Sequence, residues 1–314
     1  MVEEQPAVVL DGVMKKADQF TLGPIDLQIP SGYITAIIGP NGSGKSTLFK
    51  ILTNLMKADA GFVEVLQMRY PMDEIKLREK IGYMSETLDV IDDSITPREW
   101  TKLFSPFYAG WDQRRYKWLM DRFKVEEYKK IKKMSKGMVQ AFAFVQALSH
   151  SPELLLLDEP SSGLDPIAWS DMIEEIHRFM DEDSAHTVVL ATHITEEVRR
   201  LADYVVFMYD GQVLGMYEKD QLFEDWKEIW VEGVDTQTSS VQIRDIPGIF
   251  RVDRNIPNRW ITDDYPRAAA ELERLGMRIY QAQPLHLDEI MRCIVDRYRE
   301  GYGDINHARR IIPS

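Results

Sequence analysis

The segment Gly39-Pro-Asn-Gly-Ser-Gly-Lys-Ser-Thr47 constrains the fold of this chain more than any other. It sits between an apolar run, Tyr33-Ile-Thr-Ala-Ile-Ile38, and a helical pattern over Ser46–Leu55. A run so nearly free of polar residues predicts a strand covered on both faces. A strand that feeds a glycine loop and then a helix belongs to an α/β fold with a parallel sheet. The glycines let backbone N–H groups turn inward, and the helix start adds a positive dipole end, so the matching ligand is a polyphosphate. Gly39, Asn41, Gly42, Ser43, Gly44, Lys45, Ser46 and Thr47 are its candidate contacts. Lys45 would reach the β- and γ-phosphates, and the Ser46 hydroxyl would ligate Mg²⁺.

A second run, Leu154-Leu-Leu-Leu-Asp158-Glu159, ends a buried strand in two adjacent carboxylates. Alone it would be a core strand and its exit turn. Paired with the glycine loop, Asp158 becomes a metal-site candidate and Glu159 the residue that polarises an attacking water.

Further elements follow the same alternation: Ile25–Ile29, Ile167–Met180 as a helix, Thr187–Ala191 and Tyr204–Met208 as strands. Between about 87 and 135 the character changes to aromatic-rich helical patterning, with Trp100, Phe104, Phe107, Tyr108, Trp111, Tyr116, Trp118 and Phe123 among charged residues. Aromatics at such spacing fill a core, and an excess of them can also line a protein–protein groove. Beyond residue 224 a small α+β domain is predicted over 225–300. It has a strand from Ile229 to Val234, a hairpin near Asn255–Asn258, a helix from Tyr265 to Leu275, a strand over Met277–Gln281 and a helix over Leu287–Tyr298. A tail, 301–314, follows.

The formal charge of −13 disfavours a general nucleic-acid partner. Lys129, Lys130, Lys132 and Lys133 read as a solvated face. Cys293 is the only cysteine, which excludes an intrachain disulfide and a cysteine zinc site and suits a reducing compartment. The acidic start, Met1-Val-Glu-Glu-Gln-Pro, is unlike a secretory signal, and no 18-residue apolar run occurs. A chain that does not itself span a membrane is expected.

Kinases, GTPases and helicases also use phosphate loops, so the remaining motifs must choose. Met134-Ser-Lys-Gly-Met138, Ser161-Ser-Gly-Leu-Asp165 and Thr192-His193, in this order around Asp158 and Glu159, resemble the signature motif, D-loop and switch histidine of ABC ATPases. The resemblance covers residues 7 to 225. It implies a P-loop NTPase fold with an ABC-type helical subdomain, and head-to-tail pairing with ATP between two cassettes, either as a homodimer or with a related ATPase subunit. Ser135 and Gly137 would then face the γ-phosphate from the opposite copy, His193 would contact it from the side of Lys45, and Asp165 would link the two sites. Phe107-Tyr-Ala-Gly-Trp-Asp112 resembles a segment of bacterial ABC-2-type exporter ATPases, a group that includes antimicrobial-peptide and multidrug systems. This implies a motor for export, bound to a membrane-spanning subunit at the cytoplasmic, inner face of the cell membrane.

Three positions depart from the family pattern. Lys136 replaces a signature glycine and Met138 a glutamine, a variation familiar among bacterial export ATPases. Lys136 either adds positive charge beside the opposing nucleotide or is a solvated lysine. Glu86 stands where the family places a glutamine, as a Mg²⁺ contact or an exposed acid. Phe20 is the candidate for stacking on adenine, or an apolar anchor of the first hairpin. The competing readings are a soluble ABC-type ATP-gated clamp and a regulatory subunit that binds ATP without turnover. Intact Glu159 and His193 argue against the second.

Overall fold

The computed structural model describes residues 5–17, 20–87, 94–232, 246–253 and 256–301. Its contacts divide the chain into two compact units, Met1–Met216 and Tyr217–Ser314.

The first unit is built on a six-stranded sheet. In chain order its strands are β3 (Ile34–Ile38), β5 (Ile81–Met84), β6 (Leu154–Asp158), β7 (Thr187–Thr192), β8 (Tyr204–Tyr209) and β9 (Gln212–Glu218). Their spatial order is β5-β6-β7-β3-β8-β9, and the pairs β5–β6, β6–β7, β7–β3 and β3–β8 are parallel. All five residues of β3 and of β6 are buried, as their near-continuous apolar sequence requires for strands covered on both faces. Leu154 to Leu157 are each 0% exposed; burial of one such side chain contributes about 1.5–3 kcal/mol.

A separate three-stranded antiparallel sheet has the order β2-β1-β4, from β1 (Val8–Ala17), β2 (Phe20–Ile29) and β4 (Ala60–Val65). Its inner residues Val8, Leu10, Val13, Leu22, Ile25 and Ile29 share one core with Leu48, Phe49 and Leu52 of α1 (Lys45–Leu52). Helix α1 stops three residues short of the predicted Leu55, because Asn54 takes a left-handed φ of 55° and the Met56 N–H turns back to the Lys50 carbonyl. Helix α2 (Glu74–Lys80) leads into β5.

The aromatic-rich stretch forms α3 (Pro97–Phe104), a 3₁₀ turn over Ser105–Phe107 and α4 (Gln113–Arg122). Thr96 and Glu99 make a reciprocal capping box with Pro97 in the first turn, and Asp112 caps α4. Tyr116 and Phe123 fill the core, whereas Phe107 and Trp118 are exposed. Helices α5 (Lys136–Leu148), α6 (Pro166–Glu182) and α7 (Thr195–Leu201) complete the unit.

The second unit carries α8 (Lys219–Asp225) and an antiparallel sheet of order β11-β12-β10-β13, made by β10 (Lys227–Glu232), β11 (Ile249–Val252), β12 (Arg259–Thr262) and β13 (Arg278–Pro284). Helices α9 (Tyr265–Arg274) and α10 (Leu287–Arg299) join it. Trp260, Ile229, Val231, Ala268 and Leu272 share its core. Cys293 lies on the buried face of α10 with Ile290 and Ile294, where burial pushes its thiol up to about 11. Strands β11 and β12 flank the expected hairpin; Val234, Asn255 and the tail beyond Gly301 lie outside the described residues.

Candidate active site

The motif segments leave the carboxyl ends of four neighbouring strands. Glu86 follows β5, Asp158 and Glu159 end β6, His193 follows β7, and the glycine loop follows β3. The pairings Met84↔Leu157, Asp158↔Ala191 and Ile38↔Thr192 bring those ends to one level. The carboxyl edge of a parallel sheet is where open α/β folds bind ligands.

Lys45, the first residue of α1, is 6% exposed. Its Nζ donates to the Gly39 carbonyl at 2.8 Å and the Pro40 carbonyl at 3.4 Å, and lies 3.7 Å from Glu159 Oε1. The loop turns at Gly44, whose φ is 107°; a Cβ there would stand 2.6 Å from Leu22 Cδ1 and 2.9 Å from Phe20 Cζ. Neither the backbone nor the space admits a side chain. Phe20 is therefore half-buried against the loop and the core beneath it. Asn41 and Gly42 are exposed, Ser46 and Thr47 are half-buried, and the buried Ser43 hydroxyl has no hydrogen-bond partner among the described residues.

Asp158 is 2% exposed and stands beside the Ser46 side chain. Burial raises its carboxyl above the usual range; Ser46 and Lys45 oppose the shift, while Glu159 and Glu86 add to it. Its Oδ1 has no partner among the described residues. A buried, unpaired carboxylate oxygen next to a hydroxyl is a donor set that fits a hard divalent cation such as Mg²⁺. Among the described residues no three His, Cys, Asp or Glu side chains form a complete cage. An ion there would draw its other ligands from phosphate and water.

Glu159 has a left-handed φ of 50°, held by its N–H donating to the Ala191 carbonyl at 2.8 Å. Such strain in a non-glycine residue concentrates at functional sites. The strained turn aims Oε2 at His193 Nδ1, 2.8 Å away. Lys45, Glu159 and His193 thus converge from three strands.

The remaining candidates lie in a second group. Ser135 is exposed and caps α5, accepting from the Met138 N–H at 3.2 Å. Gly137 is pressed against the 161–165 loop: a Cβ would lie 2.4 Å from the Gly163 carbonyl oxygen. Asp165 caps α6, accepting from the Ile167 and Ala168 N–H groups at 2.9 Å each. The stem of Lys136 lies over Gly163. Among the described residues no hydrogen bond or ion pair joins Ser135, Gly137 or Asp165 to the Lys45–Glu159–His193 group. The Glu86 side chain is exposed, and its carbonyl accepts from Gln140 Nε2 at 2.5 Å.

Sequence reasoning missed Ser161 and Glu197. Glu197 on α7 is 1% exposed and accepts from the Ser161 hydroxyl. The signal available was its place beside Val198 and Leu201, on the buried face of a helix that starts just after His193.

The sequence profile of the ABC transporter family matches residues 22–162. The chain is 32% identical over 201 residues to the lantibiotic transport ATP-binding protein SrtF of Streptococcus pyogenes, covering 63% of this chain and 85% of that protein. It is 26% identical over 292 residues to the Nod factor export ATP-binding protein I of Burkholderia lata, covering 89% and 93%. Among solved structures it resembles a dimeric ATP-binding cassette in a post-hydrolysis state with ADP and Pi. The TM-score there is 0.59 and the identity 26%, over 67% of this chain and 98% of that one.

Proposed function

The chain belongs to the ATP-binding proteins of ABC transporters, and on that premise we propose that it powers export through a separate membrane protein, hydrolysing ATP at the shared carboxyl edge of β5, β6, β7 and β3. It is an ATPase that dimerises and pairs with membrane subunits, as its family does. The export direction is supported by the relatives named for lantibiotic transport and Nod factor export. Among the described residues no helix is long and apolar enough to cross a membrane; a peripheral position at the cytoplasmic face of the cell membrane follows from the proposed partner. The proposed cassette, residues 1–224, and the appended α+β domain, 225–300, follow the two compact units, although the contacts divide the chain slightly earlier, at Met216/Tyr217.

The observation that carries the reading is the convergence of Lys45, Glu159 and His193, with Asp158 and Ser46 beside them. Backbone N–H groups of the glycine loop and the start of α1 cradle the phosphates, and Lys45 exchanges its contact with Glu159 for the β- and γ-phosphates. Ser46 and Asp158, with Glu86 at the rim, would hold Mg²⁺, which would neutralise phosphate charge during the transfer. Glu159 accepts a proton from the attacking water, and His193 orients that carboxylate from Oε2. Phe20, half-buried at the edge of the loop, is the candidate to stack on the base. Ser135 and Gly137 of a second copy close the site over the γ-phosphate, and Asp165 braces the helix beside them.

The test is steady-state ATPase of the chain with and without Glu159→Gln. Loss of turnover with an ATP-stabilised dimer is the expected result; equal rates would overturn the assignment.

A further inference from the structure

Between the two strand ends that carry Glu159 and His193 lies a buried acid the reaction as described does not use. Glu197 is 1% exposed, and its Oε1 accepts the Ser161 hydroxyl, with the Thr192 side chain beside it. Ser161 is two residues beyond Glu159, and Thr192 immediately precedes His193. Glu197 therefore ties the exit turn of β6 to α7, just beyond the exit turn of β7, across the gap that Glu159 and His193 bridge at 2.8 Å. The backbone on both sides is already fastened to the same point. The Ser162 N–H returns to the Glu159 carbonyl, the Ile194 N–H donates to Thr192 Oγ1 at 3.0 Å, and the Glu197 N–H donates to the Ile194 carbonyl.

A buried acid is costly unless its site holds it. Burial raises the Glu197 carboxyl above its ordinary range, opposed by Ser161 and Thr192 and reinforced by Glu159. Its second oxygen, Oε2, has no hydrogen-bond partner among the described residues. An apolar side chain would fill the same space on α7 without either penalty. What it could not do is hold the Ser161 hydroxyl of the turn that carries Glu159.

We propose that Glu197 is a positioning residue for ATP hydrolysis, which sets the separation and orientation of Glu159 and His193 by fastening Ser161 to α7, the helix that follows His193. The inference rests on the assignment of Glu159 and His193 given above. Glu197 acts through those two residues. It therefore governs the rate of the chemical step, where small misplacements of a general base are expensive, and leaves ATP binding by the glycine loop alone.

The experiment measures kcat and KM for MgATP, and the thermal midpoint, in the full chain carrying Glu197→Ala, Glu197→Gln, Ser161→Ala or the Glu197→Ala/Ser161→Ala pair, with Glu159→Gln and the exposed neighbour Glu196→Gln as references. Glu197→Ala and Ser161→Ala should each lower kcat about tenfold or more with KM within about twofold. The pair should be no worse than the poorer single variant, because both remove one clamp. The carboxamide oxygen of Glu197→Gln still accepts from the Ser161 hydroxyl and should restore most of the rate, and Glu196→Gln should match the unaltered chain. If Glu197→Ala does not fold, Ser161→Ala carries the same test. An unchanged kcat in Ser161→Ala, multiplicative losses in the pair, or no rescue by Glu197→Gln overturns the clamp. Failure of the parent assignment reads differently: Glu159→Gln would then turn over as fast as the unaltered chain.

Discussion

His193 Nδ1 stands 2.8 Å from Glu159 Oε2, while Lys45 Nζ stands 3.7 Å from the other oxygen of the same carboxylate. One acid is thus gripped from both sides by the groups assigned to the γ-phosphate. Binding of ATP requires Lys45 to leave that grip, whereas His193 can keep the carboxylate oriented. His193→Ala is therefore expected to lower kcat by about 10²-fold while nucleotide affinity changes little. Steady-state turnover and fluorescent-nucleotide titration separate the two; a full rate in the variant would count against an orienting histidine.

Asp158 illustrates the stability cost of such a site. Burial opposes its charge, and one oxygen lacks a partner among the described residues. Asp158→Asn keeps the shape and the oxygen beside Ser46 while removing the buried charge. The metal-free variant should melt about 2–4 °C higher than the unaltered chain and lose Mg²⁺-dependent turnover. Paired thermal melts and ATPase assays check both halves; a lower midpoint would show that the carboxylate is structurally compensated.

The catalytic set was legible because its geometry is local and ordered. Lys45 lies on a glycine loop whose φ values demand that sequence, and Asp158, Glu159 and His193 each end an apolar strand. The antiparallel sheet was less visible. In β1 the register shifts between Leu10 and Val13, and again between Val13 and Lys15, break the alternation that announces a strand. Glu197 was hidden for another reason: its partner Ser161 reaches it only through the fold, and its place beside Val198 and Leu201 marks a buried face without showing what the acid holds there. The caps at Ser135 and Asp165 show the converse case, in which residues singled out for a ligand also have a local structural duty.

That dual duty makes Ser135→Ala ambiguous by itself. The alanine removes the cap on Met138, a loss of about 1 kcal/mol, together with any contact to nucleotide. Ser135→Asp keeps the cap and adds a negative charge. Retained stability with suppressed turnover in the aspartate variant is expected if Ser135 of one copy faces the γ-phosphate bound by the other. Recovery of turnover with the cap would reduce the residue to a structural role.

His150 makes the acid limb of stability predictable. It is 4% exposed, packs its ring at a tilt against Tyr108 with centroids 4.4 Å apart, and pairs through Nε2 with the Ile81 carbonyl. Burial holds its pKa below the ordinary 6.5, and the Ile81 contact only partly opposes this. The unfolded chain consequently binds the proton more readily than the folded one. Stability from this group is complete above pH 6.5 and is lost as pH falls from there toward the lowered folded value. Chemical denaturation across that window should show the slope, and His150→Gln should flatten it. An identical slope in the variant would assign the acid sensitivity to other groups.

The aromatic insertion offers the test of the membrane partner. Trp100 and Phe104 stack at 4.2 Å, and beside them Leu103 is 59% and Phe107 75% exposed. Because these two side chains are already in water, Leu103→Glu and Phe107→Glu should change the stability of the chain by no more than about 0.5 kcal/mol. Neither belongs to the proposed set of Lys45, Asp158, Glu159 and His193, so basal ATPase of the isolated chain should persist. What should be lost is co-purification with the membrane subunit, and with it transport, since two carboxylates would have to be desolvated in an apolar contact. A pull-down of the double variant against the unaltered chain reads this directly. Undiminished recovery of the membrane subunit would place the docking surface elsewhere on the cassette.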